Sequence, residues 1–177
     1  MVSRMTRDVL GIVIRLVYRG IYLLLRAWWL VRRPHTYGAA VALWHEGKIL
    51  LVRTSYRHLY SLPGGFVKRG EPAERAARRE LREELGIDLT GLPLRHAWSG
   101  TLDFESRPDT IDIWEVTVAS APTLYVAGRE IVWAGWVSPS DALSRRLLPH
   151  IGVYLESRQN QGEGLGSKER SSENSSS

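Results

Sequence analysis

The spacing of apolar and polar positions divides the chain into three zones. Through residues 1–33, Leu, Ile, Val, Trp and Arg dominate and Asp8 is the one acidic residue. On a helix, Arg4, Asp8, Arg15, Arg19, Arg26 and Arg33 fall in one narrow stripe, and the rest of the wheel is largely apolar. Pro34 ends that helix. Beyond it, Tyr37 to Trp44 and Lys48 to Thr54 read as two strands joined by a tight turn at His45-Glu46-Gly47. Leu62-Pro63-Gly64-Gly65 is a breaker cluster before a loop. Pro72 to Leu85 predicts a helix, with Pro72 at its first position and Gly86 just past its end. Leu94 to Phe104, Thr110 to Val118 and Ile131 to Val137 read as strands, and Pro139 to Arg145 and His150 to Arg158 as helices. Strands and helices alternate without a strict βαβ rhythm, so the expectation is an α/β domain, a mixed sheet covered by helices, over residues 35–158. Residues 159–177 carry almost nothing apolar and read as a disordered tail.

Composition narrows the functions. With 177 residues and 44% hydrophobic content, the chain can bury a core. It has no cysteine, which excludes a disulfide framework, a thiolate metal site and a cysteine nucleophile. The formal net charge of +5 admits acidic ligands, nucleic acid or an anionic membrane surface. The excess sits largely in the apolar first segment rather than in a mixed basic and aromatic patch, so no nucleic-acid partner is expected. That segment has no run of 18 uncharged apolar residues. It predicts a helix lying in a membrane interface, with Trp28 and Trp29 at headgroup depth. The alternatives are a tilted span with snorkelling arginines, packing on a partner or on the domain, and a cleaved targeting segment. The interfacial reading places the protein in the cytoplasm, peripheral to a membrane.

The chemistry concentrates in residues 65–87, GFVKRGEPAERAARRELREELGI. Residues three and four apart share a helix face, so Glu80, Glu83 and Glu84 project together while Leu81 and Leu85 suit packing on a sheet. Three carboxylates on one face repel one another, and a hard divalent cation turns that repulsion into a site. The plainer reading is a solvated acidic face paired with Arg75, Arg78, Arg79 and Arg82. Arg53, Arg57, Arg69 and Arg79 are candidates to hold phosphate oxygens. Trp44, Tyr56, Tyr60, Phe66, Trp98 and Trp114 are candidates to stack on a base, although core roles suit most of them. His58, His96 and His150 form no ligand spacing.

The skeleton runs Gly65, five residues, Glu71, seven residues, then Arg79-Glu80-Leu81-Arg82-Glu83-Glu84-Leu85-Gly86-Ile87. This resembles the Nudix box at every defining position. The resemblance implies an α/β/α sandwich and a Mg²⁺-dependent hydrolase, with Mn²⁺ as a possible substitute, that cleaves the diphosphate linkage of a nucleotide-like substrate. It implies Glu80, Glu83, Glu84 and the Gly65 carbonyl as metal ligands and Arg79 as the residue that orients a glutamate. It also points to Glu130, before the strand Ile131 to Val137, as a further ligand or general base. Glu80 and Glu130 both stay open as the base, and Arg53 and Arg69 are the expected substrate contacts. A catalytically silent, membrane-attached nucleotide-binding module is the alternative function. No second signature selects a substrate subclass or an oligomeric state.

Overall fold

The computed structural model describes the backbone of residues 2–126 and 130–173, and side chains within 11–126 and 130–161. Strand β1 (Thr36–His45) is the middle of the sheet. It runs parallel to β6 (Arg107–Thr117) and antiparallel to β2 (Lys48–Thr54). Short β3 (Tyr60–Ser61) extends the sheet beyond β2, and β5 (Arg95–Phe104) extends it beyond β6. Two further strands lie off this path: β4 (Gly64–Phe66) pairs with β1, and β7 (Ile131–Val137) pairs with β2. The sheet is therefore mixed, and helices cover both faces, as an α/β/α sandwich requires.

Alternation of side chains across each strand builds two cores. Ala40, Ala42 and Trp44 of β1, with Ile49 and Leu51 of β2, pack against Ala142 of α3 (Pro139–Leu143) and Ile151, Tyr154 and Leu155 of α4 (Pro149–Glu173). The alternate set, Ala39, Val41, Leu43, Leu50 and Val52, meets Ala76, Ala77, Leu81 and Leu85 of α2 (Ala73–Leu85). Small residues suit β1 because helices press on it from both sides. Leu81 and Leu85 are fully buried, each worth about 1.5–3 kcal/mol of hydrophobic transfer. The β1–β2 turn has positive φ at Glu46 and Gly47, as a two-residue turn that follows strand twist needs. Gly86 closes α2 in the left-handed conformation, its N–H donating to Arg82 O at 3.0 Å.

Several expectations are corrected. Pro72 is the extended N-cap of α2 rather than its first helical residue. The breaker cluster is not followed by a plain loop: Gly64 and Gly65 pair with Ala40 and Ala39. Strand β6 starts at Arg107, because Glu105 and Ser106 with positive φ form a tight hairpin turn with β5. Helix α3 stops at Leu143. Helix α4 continues to Glu173, so residues 159–173, expected as a disordered tail, are helical. No proline interrupts them, and polar composition does not forbid helical backbone. Residues 174–177 lie outside the described residues.

Helix α1 (Val2–Arg32) packs on the domain. Its contact stripe holds Ile14, Tyr18, Tyr22 and Trp29, spaced by four, four and seven residues, as one helix face requires. Trp29 is 4% exposed under the Arg107 guanidinium, 3.5 Å from its ring centroid. Tyr22 donates to Glu105, and Tyr18 and Tyr22 lie against Tyr56. Trp29 is therefore not at headgroup depth, because the buried Arg107 gives its ring a partner; Trp28 remains half exposed. Arg19 of the polar stripe faces the domain and donates to Ser55 O at 3.2 Å. The side chains of Arg4 and Asp8, which the stripe included, lie outside the described residues. Among the described residues no helix is long and apolar enough to cross a membrane.

Candidate active site

Helix α2 is held against the sheet by its apolar face, which turns its acidic face toward β4 and the end of the sheet. A cavity of about 360 Å³ opens there, lined by Gly64, Gly65, Glu80, Glu84 and Glu130 among others. Glu84 lies deepest. Gly64 N–H donates to its Oε2 at 3.0 Å. Burial pushes its carboxyl well above the usual carboxylate range, and repulsion from Glu130, Glu80 and Glu83 adds to this against the Gly64 bond. Glu80 is also raised, first by burial, against the opposing pull of Arg79. Glu130 accepts from the Tyr56 hydroxyl at 2.8 Å, and burial raises that phenol in turn.

Arg79 is the hub. Its Nε and Nη2 grip both oxygens of Glu71, each at 3.0 Å. Nη1 donates to Glu80 Oε1 at 2.6 Å and Glu83 Oε2 at 3.4 Å, and Nη2 reaches Phe66 O at 3.2 Å. The fork geometry of a guanidinium suits this set, which an ammonium could not reproduce. Arg79 holds the Glu71 carboxyl down to about 2, with help from Lys68 N–H. Glu71 is thus a loop brace, tying the loop before α2 to the helix.

Gly65 shapes the pocket by what it lacks. A Cβ there would fall 2.6 Å from Glu80 Cδ, so the glycine leaves the space that the carboxylate fills. Glu80, Glu84 and Glu130 each use one oxygen in these bonds, leaving the other without a hydrogen bond among the described residues. Mutually repelling, half-buried carboxylates with free oxygens fit a hard divalent cation. The fit requires some movement: among the described residues no group of three His, Asp or Glu side chains already stands in metal-ligating arrangement.

The structure does not gather every expected residue. Glu83 lies outside the cavity lining, its side chain 55% exposed and leaning on Arg79. Arg53 and Arg69 are not in the lining either. Arg53 sits over the Tyr60 ring at 5.7 Å, and Arg69 lines a separate surface cleft along α2. Gly128 and Arg129, which precede Glu130 in the chain, lie outside the described residues. Of the aromatic candidates only Tyr56 and Phe66 line the cavity, and Phe66 is half exposed. Trp44 is buried against Tyr154, Tyr60 packs on Trp133, and Trp98 and Trp114 pack on His150 and His96. His150 is buried, with Nε2 2.7 Å from Asp109 O, a structural role.

The sequence reading missed other lining residues: Lys68, Arg107 and Asp109. Lys68 lies inside the motif but has no fixed type there. Arg107 and Asp109 were taken for a connection. Arg57, named among the arginines, does line the cavity, anchored by Glu105 Oε2 at 3.2 Å.

Comparison with known proteins bears on this geometry. The family model described as NUDIX domain matches residues 34–156. A Bacillus subtilis (strain 168) protein, provisionally named as an 8-oxo-dGTP diphosphatase, is 35% identical over 108 residues, covering 59% of this chain and 68% of that protein. The MutT NUDIX hydrolase from Burkholderia pseudomallei superposes with a TM-score of 0.61 at 26% identity, over 70% of this chain and 97% of that one. A C. elegans Ap4A hydrolase binary complex gives a TM-score of 0.63 at 21% identity, over 73% and 98% of the two chains, a likeness of fold alone.

Proposed function

The chain belongs to the Nudix family and is a pyrophosphohydrolase of the Nudix hydrolase type; from that premise we propose that it cleaves the diphosphate bond of a nucleoside diphosphate linked to a further moiety. The observation that carries this reading is the shared cavity of Glu80, Glu84 and Glu130, each with an oxygen that has no hydrogen bond among the described residues. Glu80, Glu84 and the Gly65 carbonyl would hold Mg²⁺, with Glu83 swinging in from the rim; Mn²⁺ would substitute. The bound ion would lower the pKa of water and neutralise charge on the leaving phosphate. Arg79 fixes Glu80 from behind, so the free Glu80 oxygen keeps one direction. Tyr56 does the same for Glu130. Either glutamate can take the proton of an attacking water, since each presents an unbonded oxygen to the cavity. Lys68 and Arg57 replace Arg53 and Arg69 as the phosphate contacts: Lys68 Nζ has no hydrogen bond among the described residues, and Arg57 is held rigid. Phe66 offers the exposed ring on which a base can stack.

The test is a panel of an oxidised nucleotide, a dinucleoside polyphosphate and a sugar nucleotide, with Mg²⁺. Glu83→Gln is expected to cost at least about a hundredfold in turnover with folding retained. Phe66→Ala should raise KM by about tenfold, the worth of one base stacked on an aromatic ring. Equal rates for Glu83→Gln and the native chain would defeat the site assignment, whereas a native chain that binds these nucleotides and turns none of them over would favour a silent nucleotide-binding module.

We also propose that the outer face of α1 lies in a membrane interface. Leu24, Trp28, Leu30 and Val31 are 50–82% exposed on it, an apolar surface larger than scattered single residues explain. Vesicle flotation should bring the native chain up and leave a Leu24→Ser/Val31→Ser variant behind. A native chain that stays in the dense fraction with every lipid tried ends this proposal.

A further inference from the structure

A second cleft, of about 410 Å³, lies between α1 and the end of β2, and its lining is cationic: Arg15, Arg19, Arg53 and Arg57. No acidic side chain is among its described lining residues. Arg19 spends Nε on Ser55 O, and its terminal nitrogens have no hydrogen bond among the described residues. Arg57 is held by Tyr22 and Glu105 on the far side.

Three successive residues of the floor add an independent observation. Arg53 Nε, Thr54 Oγ1 and Ser55 Oγ are buried without a hydrogen-bond partner among the described residues. Buried polar atoms are ordinarily paired, and each orphan is a cost to the fold unless something meets it. All three are N–H or O–H donors, set beside the guanidinium groups of Arg19 and Arg53. The group that answers both features is an oxygen anion with several acceptors. Guanidinium and hydroxyl donors together match a phosphate better than a planar carboxylate.

We propose that this cleft, which shares Arg57 with the lining of the acidic pocket, is a second anion site that takes a phosphate ester or free phosphate. It does not rest on the hydrolase reading, since Glu80, Glu84 and Glu130 take no part in its lining. Ile12 and Leu16, 56% and 60% exposed, line the same cleft, so a lipid phosphate would find apolar surface beside it. A soluble phosphate presents the same oxygens, and the experiment separates the two sources.

The full chain is held in chelator and titrated with inorganic phosphate at constant ionic strength while its unfolding temperature is followed. In parallel it is floated with vesicles of phosphatidylcholine alone and of phosphatidylcholine mixed with phosphatidic acid. Phosphate should raise the unfolding temperature of the native chain. Arg19→Gln/Arg53→Gln should need at least about a hundredfold more phosphate for half the effect, the loss expected on removing two charge-assisted hydrogen bonds. Weaker flotation of this variant with phosphatidic acid assigns the site to a lipid headgroup. Unchanged flotation with a lost phosphate response assigns it to soluble phosphate. Thr54→Val/Ser55→Ala removes orphan hydroxyls, so its ligand-free stability should hold or rise while its phosphate response falls, and it decides the matter if the arginine variant does not fold. A native chain indifferent to phosphate and phosphatidic acid, or variants that match it in both arms, overturns the proposal.

Discussion

Replacing Glu84 by glutamine is expected to raise the unfolding temperature of the metal-free chain by a few degrees and to lower kcat/KM by at least about a hundredfold. Both effects come from the same charge. Glu84 is buried among Glu80, Glu83 and Glu130, and its carboxyl is held well above the ordinary range, so its ionised form works against the fold. Glutamine keeps an oxygen to accept from Gly64 N–H and loses the charge. The sign with pH follows from linkage. A carboxyl raised in the native state binds more protons folded than unfolded, so the native chain gains stability as pH falls through the raised value. The advantage of the variant should therefore be present at neutral pH and shrink as pH falls. Added Mg²⁺ should raise the unfolding temperature of the native chain more than that of the variant, because a ligand stabilises only the state it binds. A variant that turns over normally, or loses stability without metal at neutral pH, contradicts this account. Calorimetry with and without Mg²⁺ over a range of pH supplies the stability comparisons, and a turnover assay supplies kcat/KM.

Such a trade of stability for chemistry is what an inward-facing acidic helix should show. It was legible in the sequence because the evidence lay within one helix: the spacing of Glu80 and Glu84 against Leu81 and Leu85 fixes neighbouring acidic and apolar faces with no knowledge of the sheet. The strands Lys48–Thr54 and Ile131–Val137 were legible to the residue, since apolar runs between turn residues mark their ends. What failed depends on partners distant in the chain. Tyr56 and Glu130 meet across 74 positions, and nothing in either neighbourhood announces the other. Arg107 looked like a loop cation, yet it is 2% exposed, satisfied by Thr36 and Glu105 and covered by Trp29. Arg53 failed for a simpler reason. Strand alternation puts it on the Ile49 and Leu51 side, away from the face that α2 covers. The docking of α1 was hidden because Tyr18, Tyr22 and Trp29 read as part of a uniformly apolar wheel. Only their ring and hydroxyl partners distinguish that stripe from the exposed remainder.

The two adjacent glycines of β4 should respond in opposite ways to the same methyl group. At Gly64 a Cβ would stand 2.4 Å from Ala39 O and 2.6 Å from Ala40 Cα. Those atoms belong to the backbone of β1, the middle strand, packed on both faces, so they cannot retreat without disturbing both cores. Gly64→Ala should cost at least about 4 kcal/mol, the range reserved for changes with no room to relax. At roughly 2–4 °C per kcal/mol for a chain of this size, the unfolding temperature should fall by about 8 °C or more. At Gly65 the clash is with the end of the Glu80 side chain, which can swing aside, and the backbone has no positive φ to defend. Gly65→Ala should keep the fold, with an unfolding temperature within a few degrees of native. Its turnover should drop by about a hundredfold, since displacement of a catalytic group by about 1 Å is enough for that. Circular dichroism on heating, with turnover measured at a temperature where both variants are folded, reads the two effects separately. Equal behaviour of the two variants would mean that Gly65 does not make room for Glu80, and the pocket geometry drawn from that vacancy would have to be abandoned.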